Sequence, residues 1–303
     1  MSAGVLAHDE HWPRAGDWPA WRPGERADAI IVGVPSWRTS LSPSRAHETP
    51  AAIRAALRRY SADALMTPSG APLVVRDAGD LVDPDGDEDA AVAAIAELAS
   101  HSELVIALGG DNAATVPVAL GATGARLASA GLVTVDAHHD LRDGTSNGSP
   151  VRRLLEAGLS GERISQLGIE PLANSRFYAE RAATHGIEVV TRDELESLPI
   201  AVAMERALRR AAGAGGPVVV DLDLDVCDRA VAPGCPASIP GGISARELRH
   251  AARVAGAHPA VTAIDLTELD ASADAADGRT VRLAALCVLE ALAGLAARRG
   301  GVA

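Results

Sequence analysis

The sequence predicts a doubly wound α/β fold, on three observations. Eight short apolar runs recur along the 303-residue chain, helical patterns separate them, and most runs lack polar alternation. Strands buried on both faces read this way and belong to parallel sheets covered by helices. Strand–helix alternation without a long linker implies one doubly wound domain.

The runs, in order, are ADAIIVGVP (27–35), PLVVRDAG (72–79), ELVIALGG (103–110), LVTVDAHHD (132–140), ISQLGIE (164–170), IEVVTRD (187–193), PVVVDLDLD (217–225) and VTAIDLTELD (261–270). Between the first two, Thr49-Pro50 opens a helix with proline at its first position, and Ile53, Leu57 and Tyr60 form its apolar face. Thr191 with Glu194, and Ser244 with Glu247, have the spacing of capping boxes. His101 ends the helix before the third run, where a helix C-terminus favours it. The stretches 68–72 (PSGAP) and 83–89 (DPDGDED) read as surface loops. Residues 1–26 read as an N-terminal extension to the domain.

Composition narrows the function. Hydrophobic residues make up 48 % of the chain but aromatics only 2 %, so the core is built from Ala, Val and Leu. The formal net charge is −12, and all 28 basic residues are Arg. An acidic chain without a basic stripe argues against a nucleic-acid partner. The N-terminal stretch has no apolar segment of a secretory signal. The apolar run 283–297 is short and interrupted by Glu290, so it reads as a buried helix rather than a membrane span. Three scattered cysteines make no disulfide framework and fit a reducing cytoplasm. A small-molecule substrate is compatible with this balance.

In doubly wound sheets ligands sit beyond the carboxyl ends of the strands. Three runs end in dense polar clusters there: Gly109-Gly110-Asp111-Asn112, then Asp136-Ala137-His138-His139-Asp140, then Asp221 to Asp225 followed by Asp228. Glu268 follows the last run. In extended chain Asp136, His138 and Asp140 share one side and His139 takes the other; Asp223 and Asp225 are likewise same-side neighbours. Converging carboxylates repel one another in a low dielectric unless a cation intervenes. Oxygen-rich ligation with one imidazole suits Mn²⁺.

GGDN (109–112), DAHHD (136–140) and DLDLDVCD (221–228) resemble the three signature blocks of the ureohydrolase superfamily of arginases, agmatinases and formimidoylglutamases. The resemblance spans residues 28–298. It implies a three-layer α/β/α fold around a mainly parallel sheet of about eight strands, two Mn²⁺ ions per subunit, and a homo-oligomer. By position it assigns Asp136, His138, Asp140, Asp223 and Asp225 to the metals. Asp221 falls one pair early and is left out. Asn112 stands where most relatives have a histidine ligand; it is the sixth candidate, and the second ion depends on it. Glu268 matches a glutamate that faces the substrate's cationic amidine group.

Within the superfamily, SNGSPVR (146–152), ANSRFY (173–178), CDRAVAPGCPASIPGGIS (227–244) and DGRTVRLAAL (277–286) are most similar to formimidoylglutamases. That likeness implies hydrolysis of N-formimino-L-glutamate, a step of histidine degradation, with agmatine or another guanidino compound as the alternative substrate, and a non-catalytic relative as the third reading. Asp140 would shuttle the proton and Glu268 would hold the formimino group. Arg142 has two readings, a substrate carboxylate or an ion pair with Asp143. Arg45 is a second carboxylate candidate. Asn147 and Ser146 either touch substrate or hold the turn before Gly148.

Overall fold

The computed structural model describes residues 9, 11–63 and 65–299. Its strands are β1 (Ala27–Val34), β2 (Val75–Asp80), β3 (Ser102–Gly109), β4 (Gly131–Val135), β5 (Ile164–Ile169), β6 (Glu188–Thr191), β7 (Val218–Asp223) and β8 (Val261–Thr267). Every expected run is a strand, and all pair in parallel in the order β2-β1-β3-β8-β7-β4-β5-β6. The helices are α1 (Thr49–Leu57), α2 (Glu88–Ser100), α3 (Thr115–Thr123), α4 (Pro150–Ala157), α5 (Arg176–Thr184), α6 (Arg192–Leu195), α7 (Ile200–Ala211), α8 (Ala245–Ala257) and α9 (Arg279–Arg298).

The unbroken apolar runs are explained by two cores, one on each side of the sheet. Ala29, Ile31, Leu104, Ile106, Val218 and Val220 face a layer made by α1, α7, α8 and α9. Their neighbours Ile30, Val32, Val105, Ala107 and Val219 face α2, α3, α4 and α5. The fold is the three-layer α/β/α sandwich, and a strand flanked by helices on both faces has no use for polar alternation.

Both expected capping boxes are formed, at Thr191–Glu194 and Ser244–Glu247. His101 caps α2 and its Nδ1 lies 2.8 Å from the Glu97 carbonyl. The apolar run near the C-terminus is α9, long and apolar enough to cross a membrane but mostly buried here. Of the N-terminal extension, residues 1–8 and 10 lie outside the described part. Its later residues line the β2 edge: Trp21 N donates to the Asp77 carbonyl at 2.8 Å, and Asp77 N to the Pro19 carbonyl at 3.0 Å. The edge strand is thereby covered.

The strands end sooner than the runs. β4 stops at Val135, before Asp136; β7 stops at Asp223; β8 stops before Glu268. Asp140 (φ 52°) and Glu268 (φ 58°) are left-handed, a conformation no strand accommodates. The alternation expected over 136–140 therefore does not operate, and loop geometry aims these side chains instead.

Helices α8 and α9 approach closely where Gly256 faces Ala291; a Cβ there would sit 2.0 Å from the Ala291 carbonyl oxygen. Gly256→Ala is expected to lower unfolding stability by about 1–3 kcal/mol through overpacking. Urea denaturation checks this, and an unchanged midpoint would mean that the helices separate at little cost.

Candidate metal centre and active site

The sheet order decides what meets. β3, β8, β7 and β4 are consecutive neighbours at the centre, so the segments leaving their carboxyl ends share one pocket. A cavity of about 320 Å³ opens there. Its lining includes Asp111, His138, Asp140, Asp223, Asp225 and Glu268.

Asp136 lies at the base, fully buried, with Oδ1 accepting from His138 N at 2.7 Å. Nδ1 of His138 is 2.9 Å from Asp225 Oδ2 and 3.6 Å from Asp136 Oδ1. Asp223 Oδ1 accepts from Asp225 N at 2.8 Å and thereby fixes the turn that carries Asp225. Asp136, His138 and Asp225 present ligand atoms within 4.8 Å of one another.

Burial opposes a charged His138, but the Asp225 and Asp136 carboxylates push the imidazole up to about 12. Burial also works against ionised Asp225, yet the adjacent His138 holds its carboxyl below the usual range. For Asp140 the pull of His138 is outweighed, and Asp223 lacks such a partner. Burial first, then the surrounding carboxylates, drives both well above the usual range. Burial and the Asp111 and Asp225 charges push Glu268 up to about 8.

The donor set fits a hard divalent cation. Asp136 Oδ2 is buried and makes no hydrogen bond, and carboxylates dominate around one imidazole. Buried polar atoms are ordinarily paired, so an unpaired carboxylate oxygen among crowded carboxylates that share one imidazole asks for a further positive partner.

The other expected site residues divide. Asn112 is buried beside Asp140, but it donates: Nδ2 bonds to Asp140 Oδ2, and its own Oδ1 accepts from Thr115 at 2.6 Å. In that orientation it turns no oxygen toward a cation. Asn147 lines the cavity, with Nδ2 donating to Glu268 Oε1 at 2.6 Å. Arg142 is at the rim and makes no ion pair among the described residues, because Asp143 is paired with Arg181 at 2.8 Å. Ser146 stays out of the lining; its hydroxyl accepts from Gly148 N at 3.3 Å and holds the turn. Arg45 is likewise outside it, ion-paired with Glu48. Asp221 is buried under the site, accepting from Thr267 at 3.0 Å.

Asn174 is a residue the sequence reading did not single out. Its Oδ1 accepts from His139 N at 3.0 Å and its Nδ2 donates to the Ala137 carbonyl at 2.8 Å, clamping the segment that carries His138. Gln166 completes the clamp on His139, with Oε1 2.8 Å from Nδ1. Asn174 lay inside ANSRFY, a block noted for likeness only; nothing in that pattern says that the amide reaches back 35 residues. Asp111, a member of the first cluster with no role assigned from sequence, accepts from Ser40, which the sequence does not single out, at 2.5 Å.

The family model of the arginase family matches residues 27–294. The chain belongs to the arginase family. It is 32 % identical over 300 residues to a formimidoylglutamase of Halalkalibacterium halodurans, covering 94 % of this chain and 93 % of that protein. The crystal structure of Bacillus subtilis formimidoylglutamase superposes with a TM-score of 0.86 at 29 % identity, over 97 % of this chain and 96 % of that one. A Trypanosoma cruzi formiminoglutamase, solved with Mn²⁺, matches with a TM-score of 0.77 at 25 % identity, covering 90 % and 94 %.

Outer partners of ligating groups are worth about ten- to hundredfold in metal affinity. Asn174→Ala is therefore expected to weaken Mn²⁺ binding by about that factor while the fold persists. Calorimetric titration with Mn²⁺ reads it, and wild-type affinity would remove Asn174 from the centre.

Proposed function

We propose that this arginase-family chain hydrolyses N-formimino-L-glutamate to L-glutamate and formamide at a manganese centre held by Asp136, His138, Asp140, Asp223 and Asp225. The observation that carries the reading is the pairing of one cavity with two recognition ends. At its base lie the carboxylates, His138 and Glu268; at its rim lies Arg142, a guanidinium with no carboxylate of its own among the described residues. A substrate with a cationic formimino group and two carboxylates matches those ends in charge and order. The likeness to formimidoylglutamases over nearly the whole chain supports the same choice.

Bound Mn²⁺ would lower the pKa of water and so supply a nucleophile at neutral pH. The chain's own residues do the rest. Glu268 takes two donors on Oε1, from Asn112 N at 2.9 Å and Asn147 Nδ2, which leaves Oε2 for the formimino nitrogen. Asp140 receives the proton lost by water as its oxygen adds to the formimino carbon. It returns that proton to the glutamate nitrogen as the C–N bond breaks, and the hydroxyl proton of the adduct leaves to solvent as the formamide carbonyl forms. Arg142 reads a distal carboxylate through its planar fork. Full occupancy by two ions would require Asn112 to exchange its bond to Asp140 for ligation through Oδ1.

The deciding experiment is a substrate panel with product detection. Formamide from N-formimino-L-glutamate is expected; urea from agmatine or another guanidino compound would replace this reading with the alternative. Chelation should abolish turnover and Mn²⁺ should restore it. Asp140→Asn, loaded with metal, should lose at least about a hundredfold in kcat, within the range of general acid–base catalysis; full turnover would remove the shuttle. Arg142→Ala should raise KM about tenfold or more, the worth of a charge-assisted contact, with kcat changed much less.

A further inference from the structure

The acidic stretch 83–89 reads as a solvated loop, yet its side chains are committed. Asp83 is left-handed (φ 45°), and its carbonyl accepts from Gly86 N and Asp87 N, both at 3.0 Å, closing a compact turn. Asp87 caps α2 through Ala90 N at 3.0 Å. Asp83 pairs with Arg38 at 2.8 Å. Asp85 uses a single oxygen, Oδ2, to accept from two consecutive amides, Trp37 N at 2.9 Å and Arg38 N at 3.0 Å.

Those amides belong to the strap after β1, whose Ser40, Leu41, Ser42 and Ser44 line the cavity. Further along it, Thr39 O accepts from Asn147 N at 3.3 Å, and Leu41 N donates to Asn147 Oδ1 at 3.0 Å. A carboxamide has one acceptor end and one donor end. With Oδ1 pinned by Leu41 N, Nδ2 can only face the other way, onto Glu268. The strap therefore sets which end of Asn147 the glutamate meets.

We propose that Asp85 is a positioning residue for the reaction. It anchors the strap at Trp37 and Arg38, the strap orients Asn147, and Asn147 holds Glu268 in place; this rests on the reading of Glu268 as the group that binds the reacting end of the substrate. Asp85 itself touches neither substrate nor metal.

A double-mutant cycle tests it. In Mn²⁺-loaded enzyme, Asp85→Ala should lower kcat/KM by between about tenfold and a hundredfold, the scale of a small misplacement, with metal content unchanged. Asp85→Asn, which keeps an acceptor oxygen, should recover most of that loss. In an Asn147→Ala background Asp85→Ala should have no further effect, because its route is already cut. Hydrogen exchange at amides 37–41 should quicken in Asp85→Ala while β4 and β7 keep their protection. Wild-type activity in Asp85→Ala, losses that multiply in the double variant, or unchanged exchange over 37–41 would each overturn the proposal. Failure of the substrate assignment shows separately, as absence of formamide with the wild type; the cycle then runs on whichever compound is turned over, and the exchange measurement stands regardless.

Discussion

Mutual repulsion among buried carboxylates is the constraint on which the rest of this structure depends. Asp136, Asp140, Asp223, Asp225 and Glu268 are all at most 7 % exposed, and among the described residues the single imidazole of His138 is the only base that faces them directly. Charges so close in a poorly solvated site interact by several kcal/mol even at an effective dielectric of about 20. One positive ring satisfies Asp225 and Asp136 in part, and leaves Asp140 and Asp223 with their charged forms disfavoured. Such an assembly persists only where the surrounding fold over-determines it and a cation relieves it.

The surrounding fold does so through strand order. Four consecutive strands at the sheet's centre each release an acidic or amide-bearing segment at the same end, and two aliphatic cores clamp those strands from either side. Rigidity of the sheet is thus transmitted to segments that are themselves irregular. Hydrogen bonds from outside finish the job: Asn174 and Gln166 on the His138–His139 segment, Thr115 on Asn112, Ser40 on Asp111.

Much of this was legible in the sequence, and the reasons differ by level. The eight strands were readable because burial on both faces writes a continuous apolar run, and the capped helices because caps are local chemistry. The candidate site was readable because unpaired acids at strand ends are hard to explain otherwise. Its geometry was not. A period-2 argument aligned Asp136 with Asp140, whereas the strand had already ended and a left-handed residue redirects the chain. Arg45 is an unattached charge in one dimension and a partner of Glu48 in three. Asn174 and Asp85 were unreadable because their bonds reach 35 and 48 residues away, and no local pattern encodes such a closure.

The two left-handed residues at the strand ends have a wider consequence. Asp140 and Glu268 hold a backbone shape that glycine adopts freely and a carboxylate-bearing residue adopts at a cost of order 1 kcal/mol or more. Replacing either acid by glycine would release that backbone strain and remove one of the crowded carboxylates at once, so each position carries both costs of the arrangement.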